Sequence, residues 1–343
     1  MGRHSESRCR THLWQVAAAL APALLVQGGA GGQTLMDANK AETTRYEGTV
    51  AIWYGSHFED TAMHDWVPIK AWNGPYHPML GEYKTSDRKV LRQHLQWLRR
   101  AGVDVICYDA CRIQPELTLL GLPRQKTLQL LVDELSHQEK ETRKLKLVVW
   151  LEKWNSNPKP EEYRFAFDYI RHNLAQRDFY YRLDGKPLVM TYHNGAAPDL
   201  VGIDRRNERD FSIRHISPTP GDPGWAYVGP AGDKECMTAG PGFDSYLEGA
   251  FMTTHLNRKP VDTKALGEHG KEVVAARADG ATFERQLLQA RQVDPKIIFI
   301  SGWNDWACCM QIEPAKEYGF KYVDMAARFL GREAETRPYR KAP

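Results

Sequence analysis

The chain lacks a charge surplus, a cysteine framework and, past its first thirty residues, any long apolar run. Its 46 Lys and Arg stand against 43 Asp and Glu, a net +3. Residues 1–30 carry three Arg and one Glu, so 43 basic and 42 acidic residues remain beyond them. So even a balance offers no footprint for a phosphate backbone or an anionic membrane, and no nucleic-acid partner is expected. No Gly-rich phosphate loop follows any candidate strand, which argues against nucleotide chemistry; no cofactor is expected. Of six Cys, Cys9 lies in the first thirty residues, and the other five are an odd number, so at least one thiol lies outside any intrachain bridge. Cys107 and Cys111 flank a strand end and are a candidate pair, whereas Cys308-Cys309 are adjacent and neighbours rarely bridge. The spacing matches no zinc pattern, no metal is expected, and core-packed thiols are the expectation.

The one apolar run, Leu13 to Val26, is Ala-rich and too short for a comfortable membrane span. Arg3, Arg8 and Arg10 precede it and Gly28-Gly29-Ala30 follows, so residues 1–30 read as a signal peptide. The protein is therefore expected to be exported, to the periplasm, cell surface or medium, with no membrane association beyond that peptide. Residues 31–48 are polar and aperiodic, a flexible lead-in. Residues 49–332 form one domain large enough for a substantial core, and 333–343 a tail.

Within that domain apolar strands alternate with amphipathic helices. Strands are expected at Thr49–Tyr54, Val103–Tyr108, Leu145–Leu151, Pro187–Tyr192, Phe211–Ile216, Trp225–Val228 and Lys296–Ile300. Helices are expected at 87–100 (capped by Ser86 and stopped by Gly102), 127–138, 161–174, 282–293 and 318–330. Residues 229–243 are Gly- and Pro-rich and read as loop. Nearly continuous apolar strands suit a parallel sheet covered on both faces, and the alternation predicts a single-domain (β/α)8 TIM barrel; an open doubly wound sheet is the alternative.

What is plentiful is aromatic: ten Trp and fifteen Tyr. The densest signal is Ile298-Phe299-Ile300-Ser301-Gly302-Trp303-Asn304-Asp305-Trp306, then Gln311-Ile312-Glu313-Pro314. An apolar strand ends in two Trp around a carboxylate, which suits a sugar: flat apolar faces for ring C–H groups and an acid for proton transfer. In a barrel, chemistry sits where strands end. Candidates there are Tyr54, Asp109, Glu152, Trp154, His193, Trp225, Trp303, Asn304, Asp305 and Trp306. Glycosidic cleavage needs two carboxyl groups, one protonating the leaving oxygen and the other a base or nucleophile. Asp305 is the first choice by position and Glu152, beside Trp154, the second; Asp109 is the third. His77, His193 and Glu313 are candidates for binding sugar or ordering loops.

The Trp-Asn-Asp-Trp and Gln-Ile-Glu-Pro stretches resemble the last strand and loop of glycoside hydrolase families 99 and 71 and of their WbsX-like bacterial relatives. Ala51-Ile52-Trp53-Tyr54-Gly55, His77-Pro78, Gly81-Glu82-Tyr83, Ser86-Asp87, Trp97-Leu98, Ala101-Gly102-Val103-Asp104 and Leu183-Asp184-Gly185-Lys186-Pro187-Leu188-Val189 follow in the same order. The resemblance implies a TIM barrel acting on an oligosaccharide or polysaccharide, a mannan-like chain among the candidates. The endo-acting family 99 enzymes read N-E-W-H-E-G-T-Q-I-E here, and both central Glu carry their chemistry. In this chain Asp305 replaces the first and Cys308 falls on the second. Either another carboxylate takes the second role, or the activity differs, or it is lost. A non-catalytic carbohydrate-binding barrel and a polysaccharide-assembly or modification protein are therefore the alternatives to a hydrolase.

Overall fold

The computed structural model describes residues 44–56, 58–59, 67–68, 74–110, 123–138, 144–151, 159–191, 198–218, 225–228, 232–243, 276–306 and 308–332. Among the described residues, eight strands line up in one sheet, and a short ninth, Arg182–Leu183, pairs antiparallel with one of them. The eight are β1 (Thr49–Tyr54), β2 (Val105–Asp109), β3 (Lys146–Leu151), β4 (Lys186–Thr191), β5 (Ser212–Pro218), β6 (Trp225–Val228), β7 (Cys236–Ala239) and β8 (Ile297–Ile300). Their spatial order is β7-β8-β1-β2-β3-β4-β5-β6, chain order wound round a ring, and β6 comes into contact with β7. This is an α/β barrel. Tyr54 pairs with Tyr108 and Ile52 with Ile300, so β8, β1 and β2 end at the same rim.

Side chains alternate across each strand. Ala51, Val105, Cys107, Val148, Trp150, Leu188, Met190, Ile297 and Phe299 share one cluster and fill the barrel. Val50, Ile52, Tyr54, Ile106, Tyr108, Leu147, Val149, Ile298 and Ile300 point the other way, into a larger core under the helices. Both faces are dry, which is why these strands are apolar throughout. The helices are α1 (Arg88–Arg100), α2 (Pro123–Ser136), α3 (Pro160–Tyr169), α4 (Pro198–Asn207), α5 (Ala281–Val293) and α6 (Lys321–Phe329). The α1 helix buries Leu91, Leu95 and Leu98 at one-turn spacing, each worth about 1.5–3 kcal/mol of transfer free energy. Gly102, at φ 80°, ends that turn as expected.

Several sequence expectations are corrected. The cap of α1 is Asp87, not Ser86: the Asp87 carboxylate accepts the Lys89 N–H at 2.8 Å. Strand β6 runs antiparallel to β5, because six residues between Pro218 and Trp225 are too few for a crossover. β7 and α4 fall where no element was expected. The last part of the lead-in is packed: Tyr46 is buried, its N–H donates to Leu330 O at 3.0 Å and its hydroxyl to Pro295 O at 2.6 Å. Cys107 is a buried thiol outside any disulfide, so it forms no bridge to Cys111. Among the described residues no helix is long and apolar enough to cross a membrane.

Candidate active site

After β8 the chain turns sharply at Gly302. Its φ of 148° disfavours a side chain, and an added Cβ would lie 3.3 Å from both the Asp305 Cβ and the Met310 carbonyl. The turn is stitched to the end of β1. Trp303 N–H donates to Trp53 O at 2.7 Å. The Asn304 side-chain amide grips Gly55 at both backbone groups, accepting its N–H at 2.9 Å and donating to its carbonyl at 2.7 Å. Asn304 thus acts as one more rung of the sheet.

Beneath the turn lies a buried polar network. Glu313 accepts the Tyr83 hydroxyl at 2.7 Å and the Trp306 indole N–H at 3.1 Å, and its other oxygen lies 3.1 Å from His94 Nε2. His94 Nδ1 hydrogen-bonds the Tyr54 hydroxyl at 2.9 Å. Glu313 and His94 are both wholly buried. A buried carboxylate persists where several donors meet it. Burial, then the neighbouring Glu313 charge, pushes the Tyr83 hydroxyl well up, so it stays a donor.

Asp305 is the acid that this scaffold presents. It is only 7% exposed. Burial pushes its carboxyl up to about 6, opposed by the N–H and thiol of Cys308 and helped by the charge of Asp109. Asp109 ends β2 on the inward-facing side and is likewise buried. With β1 between β8 and β2, two carboxyl groups flank the mouth-side end of β1. At that same end the half-buried Trp53 ring faces inward, edge-on to Trp150 at 6.3 Å between centroids. A Cβ on Gly55 would fall 2.5 Å from the Trp53 ring, so a glycine is needed for the ring to lie there.

The expected site residues sort as follows. Asp305, Asp109 and Asn304 gather at the end of β1. Tyr54, Trp303 and Trp306 do not offer faces to a ligand: they are 0–1% exposed, Tyr54 and Trp303 in the layer under the helices and Trp306 against Phe58 and Tyr83. They support the turn instead, which corrects the expectation that they line a cleft. Glu313 serves as the hub beneath it. His77 sits apart and exposed, its backbone N–H and ring Nδ1 both meeting the Glu317 carboxylate, at 2.8 and 2.7 Å. Glu152, Trp154 and His193 lie outside the described residues, as does the side chain of Trp225, whose backbone opens β6. Trp53 was missed, although its parity with Ala51 marks it as inward-facing, whereas Tyr54 shares the outward parity of Val50 and Ile52. Among the described residues no cluster of three or more His, Cys, Asp or Glu could hold a metal ion.

No protein-family model matches the chain, and no curated protein matches it by sequence. Its shape does match solved structures. The GH99 endo-alpha-mannosidase from Bacteroides thetaiotaomicron superposes with a TM-score of 0.57 at 18% identity, covering 82% of this chain and 96% of that one. A structure described as a glycoside hydrolase-like protein gives 0.54 at 13% identity, over 84% and 95%. The chain therefore has a GH99-like α/β barrel fold, and at these identities the likeness concerns the fold.

Proposed function

We propose that the protein is an exported glycoside hydrolase that cleaves an oligosaccharide or polysaccharide, with Asp305 as its proton donor. The observation that carries this is a buried carboxyl at the end of β8, pushed up to about 6 and beside a second carboxyl, within a GH99-like barrel. Glycosidic cleavage needs one carboxyl group as proton donor and another as base or nucleophile. Asp109 is the favoured second carboxylate because Asp305 feels its charge. Glu152, two positions beyond inward-facing Trp150 in the sequence, is the competing nominee. Trp53 supplies the apolar face for a sugar ring.

The second reading is a non-catalytic carbohydrate-binding barrel, favoured by a thiol at Cys308 where the resembled enzymes keep a carboxylate. Incubation with α-mannans and plant and algal glycans, followed by product analysis, separates the two. A hydrolase releases shorter sugars, and Asp305→Asn abolishes most of that release. As general acid Asp305 must hold its proton, so kcat/KM falls as pH rises through about 6. Asp109→Asn and Glu152→Gln then decide the second role, the variant that keeps full activity clearing its residue. Binding to Trp53-containing protein without release of any product would favour the binding barrel.

A further inference from the structure

The loop after Asp305 folds back onto it. Met310 N–H donates to the Asp305 carbonyl at 3.0 Å, and Cys309 N–H to the Trp306 carbonyl at 3.3 Å. Cys309 takes the left-handed φ of 54° that closes the bend. From outside, the buried Arg277 guanidinium donates to the Cys309 carbonyl at 2.8 Å and to the Gln311 carbonyl at 3.0 Å, and packs 4.0 Å over the Tyr322 ring. Held this way, Cys308 presents both its backbone and its side chain to one carboxyl: its backbone N–H reaches Asp305 Oδ1 at 3.3 Å, and its N–H and thiol both favour the ionised form of that group. Cys308 is buried.

We propose that Cys308 is a positioning residue for Asp305, its N–H and S–H together fixing the carboxyl orientation while the weak thiol donor leaves that carboxyl able to carry a proton. This rests on the reading of Asp305 as the acid. A hydrogen bond to a carboxylate favours its ionised form, in proportion to the strength of the donor. A hydroxyl is a stronger donor than a thiol, and a methyl donates nothing. Asp109, the charged group acting on Asp305 among the described residues, stays in place throughout the series. Cys308→Ser should therefore shift the Asp305 titration down, and Cys308→Ala should shift it up. A residue that merely filled space would move it in neither direction, or in the same direction for both.

The test is a pH titration of the full chain labelled with 13C at the Asp carboxyls, read by NMR, with the Asp305 signal assigned from its loss in Asp305→Asn. Thermal melts establish that each variant is folded. The expected order of midpoints is Ser below Cys below Ala, with the native value near 6. Should the Ala variant not fold, the downward shift in the Ser variant, which changes one atom, decides alone. Unchanged midpoints, or an upward shift in Cys308→Ser, overturn the proposal. Full glycan turnover by Asp305→Asn alongside the expected order would overturn the catalytic reading and leave the positioning role standing.

Discussion

At the scale of single residues, Asp305 shows why this site costs the fold something. Its carboxyl rises from 3.8 to about 6 because burial penalises the charge. Between those values the folded chain binds more protons than the unfolded one, so stability falls as pH rises from about 4 to about 6 and then levels off. A rise from 3.8 to about 6 corresponds to about 3 kcal/mol, an upper figure for a group that retains some access to water. Asp305→Asn keeps the shape and never ionises. It should raise the Tm at pH 7.5 by a few degrees, with a much smaller change at pH 4. Calorimetry at the two pH values checks this, and an equal effect at both would show that the burial penalty lies elsewhere. Such a gain would also explain why an acid is worth keeping there: sites that give up stability are commonly the ones that work.

At the scale of elements, the described residues at the opposite end of the barrel hold a buried ion pair that serves the fold. Arg214 on β5 donates to Glu235, which immediately precedes β7, at 2.7 Å, and Glu235 is 2% exposed. The pair spans the gap across which reversed β6 lies, tying the parallel strands on its two sides. Removing one partner of a buried pair leaves a desolvated charge behind, so Arg214→Ala should cost about 3–5 kcal/mol in denaturant unfolding. Arg214→Met with Glu235→Gln should recover part of that loss; no recovery would mean that packing rather than charge dominates. Strands β1 to β6 and β8 were legible in sequence to within a residue or two, and for β1 to β4 and β8 the reason is that both their faces are buried and their runs are largely apolar. β7 was not, because Cys-Met-Thr-Ala is short, half polar and set among glycines. Helix α4 hid behind a mid-helix Gly202 and a weak stripe. Asp305, Asp109 and Asn304 were legible as strand-end residues. The choice of Tyr54 followed the last residue of β1 rather than the inward parity that Trp53 has, and the buried places of Trp303 and Trp306 depend on partners more than two hundred residues away, such as His94 and Tyr83, that no local pattern reveals.

At the scale of the whole molecule, a barrel needs its first strand and its last helix held together, and one side chain does much of this. The Arg332 guanidinium donates to the Tyr46 carbonyl at 2.8 Å, the Gly48 carbonyl at 2.7 Å and the Gly102 carbonyl at 2.8 Å, and pairs with Asp104 at 2.6 Å. Asp104 in turn accepts the Val50 N–H at 2.9 Å. Segments entering β1, leaving α1 and leaving α6 thus meet on a residue that is 6% exposed. Only a planar fork of five donors can serve so many carbonyls at once; a Lys ammonium offers three donors from a single point. Charged hydrogen bonds of this kind are worth about 1.5–3 kcal/mol each, but they share one side chain, and water would re-enter to solvate some of the carbonyls. Arg332→Ala should therefore cost about 3 kcal/mol rather than the sum, and Arg332→Lys should restore less than half of it, both measured by urea unfolding of the full chain. Because the guanidinium sits near the amino ends of the strands, far from Asp305, the carboxyl titration near 6 should be unmoved in both variants. A shift there would mean that strain at the closing seam reaches the opposite rim, and that the barrel responds as one elastic body rather than as a scaffold with two independent ends.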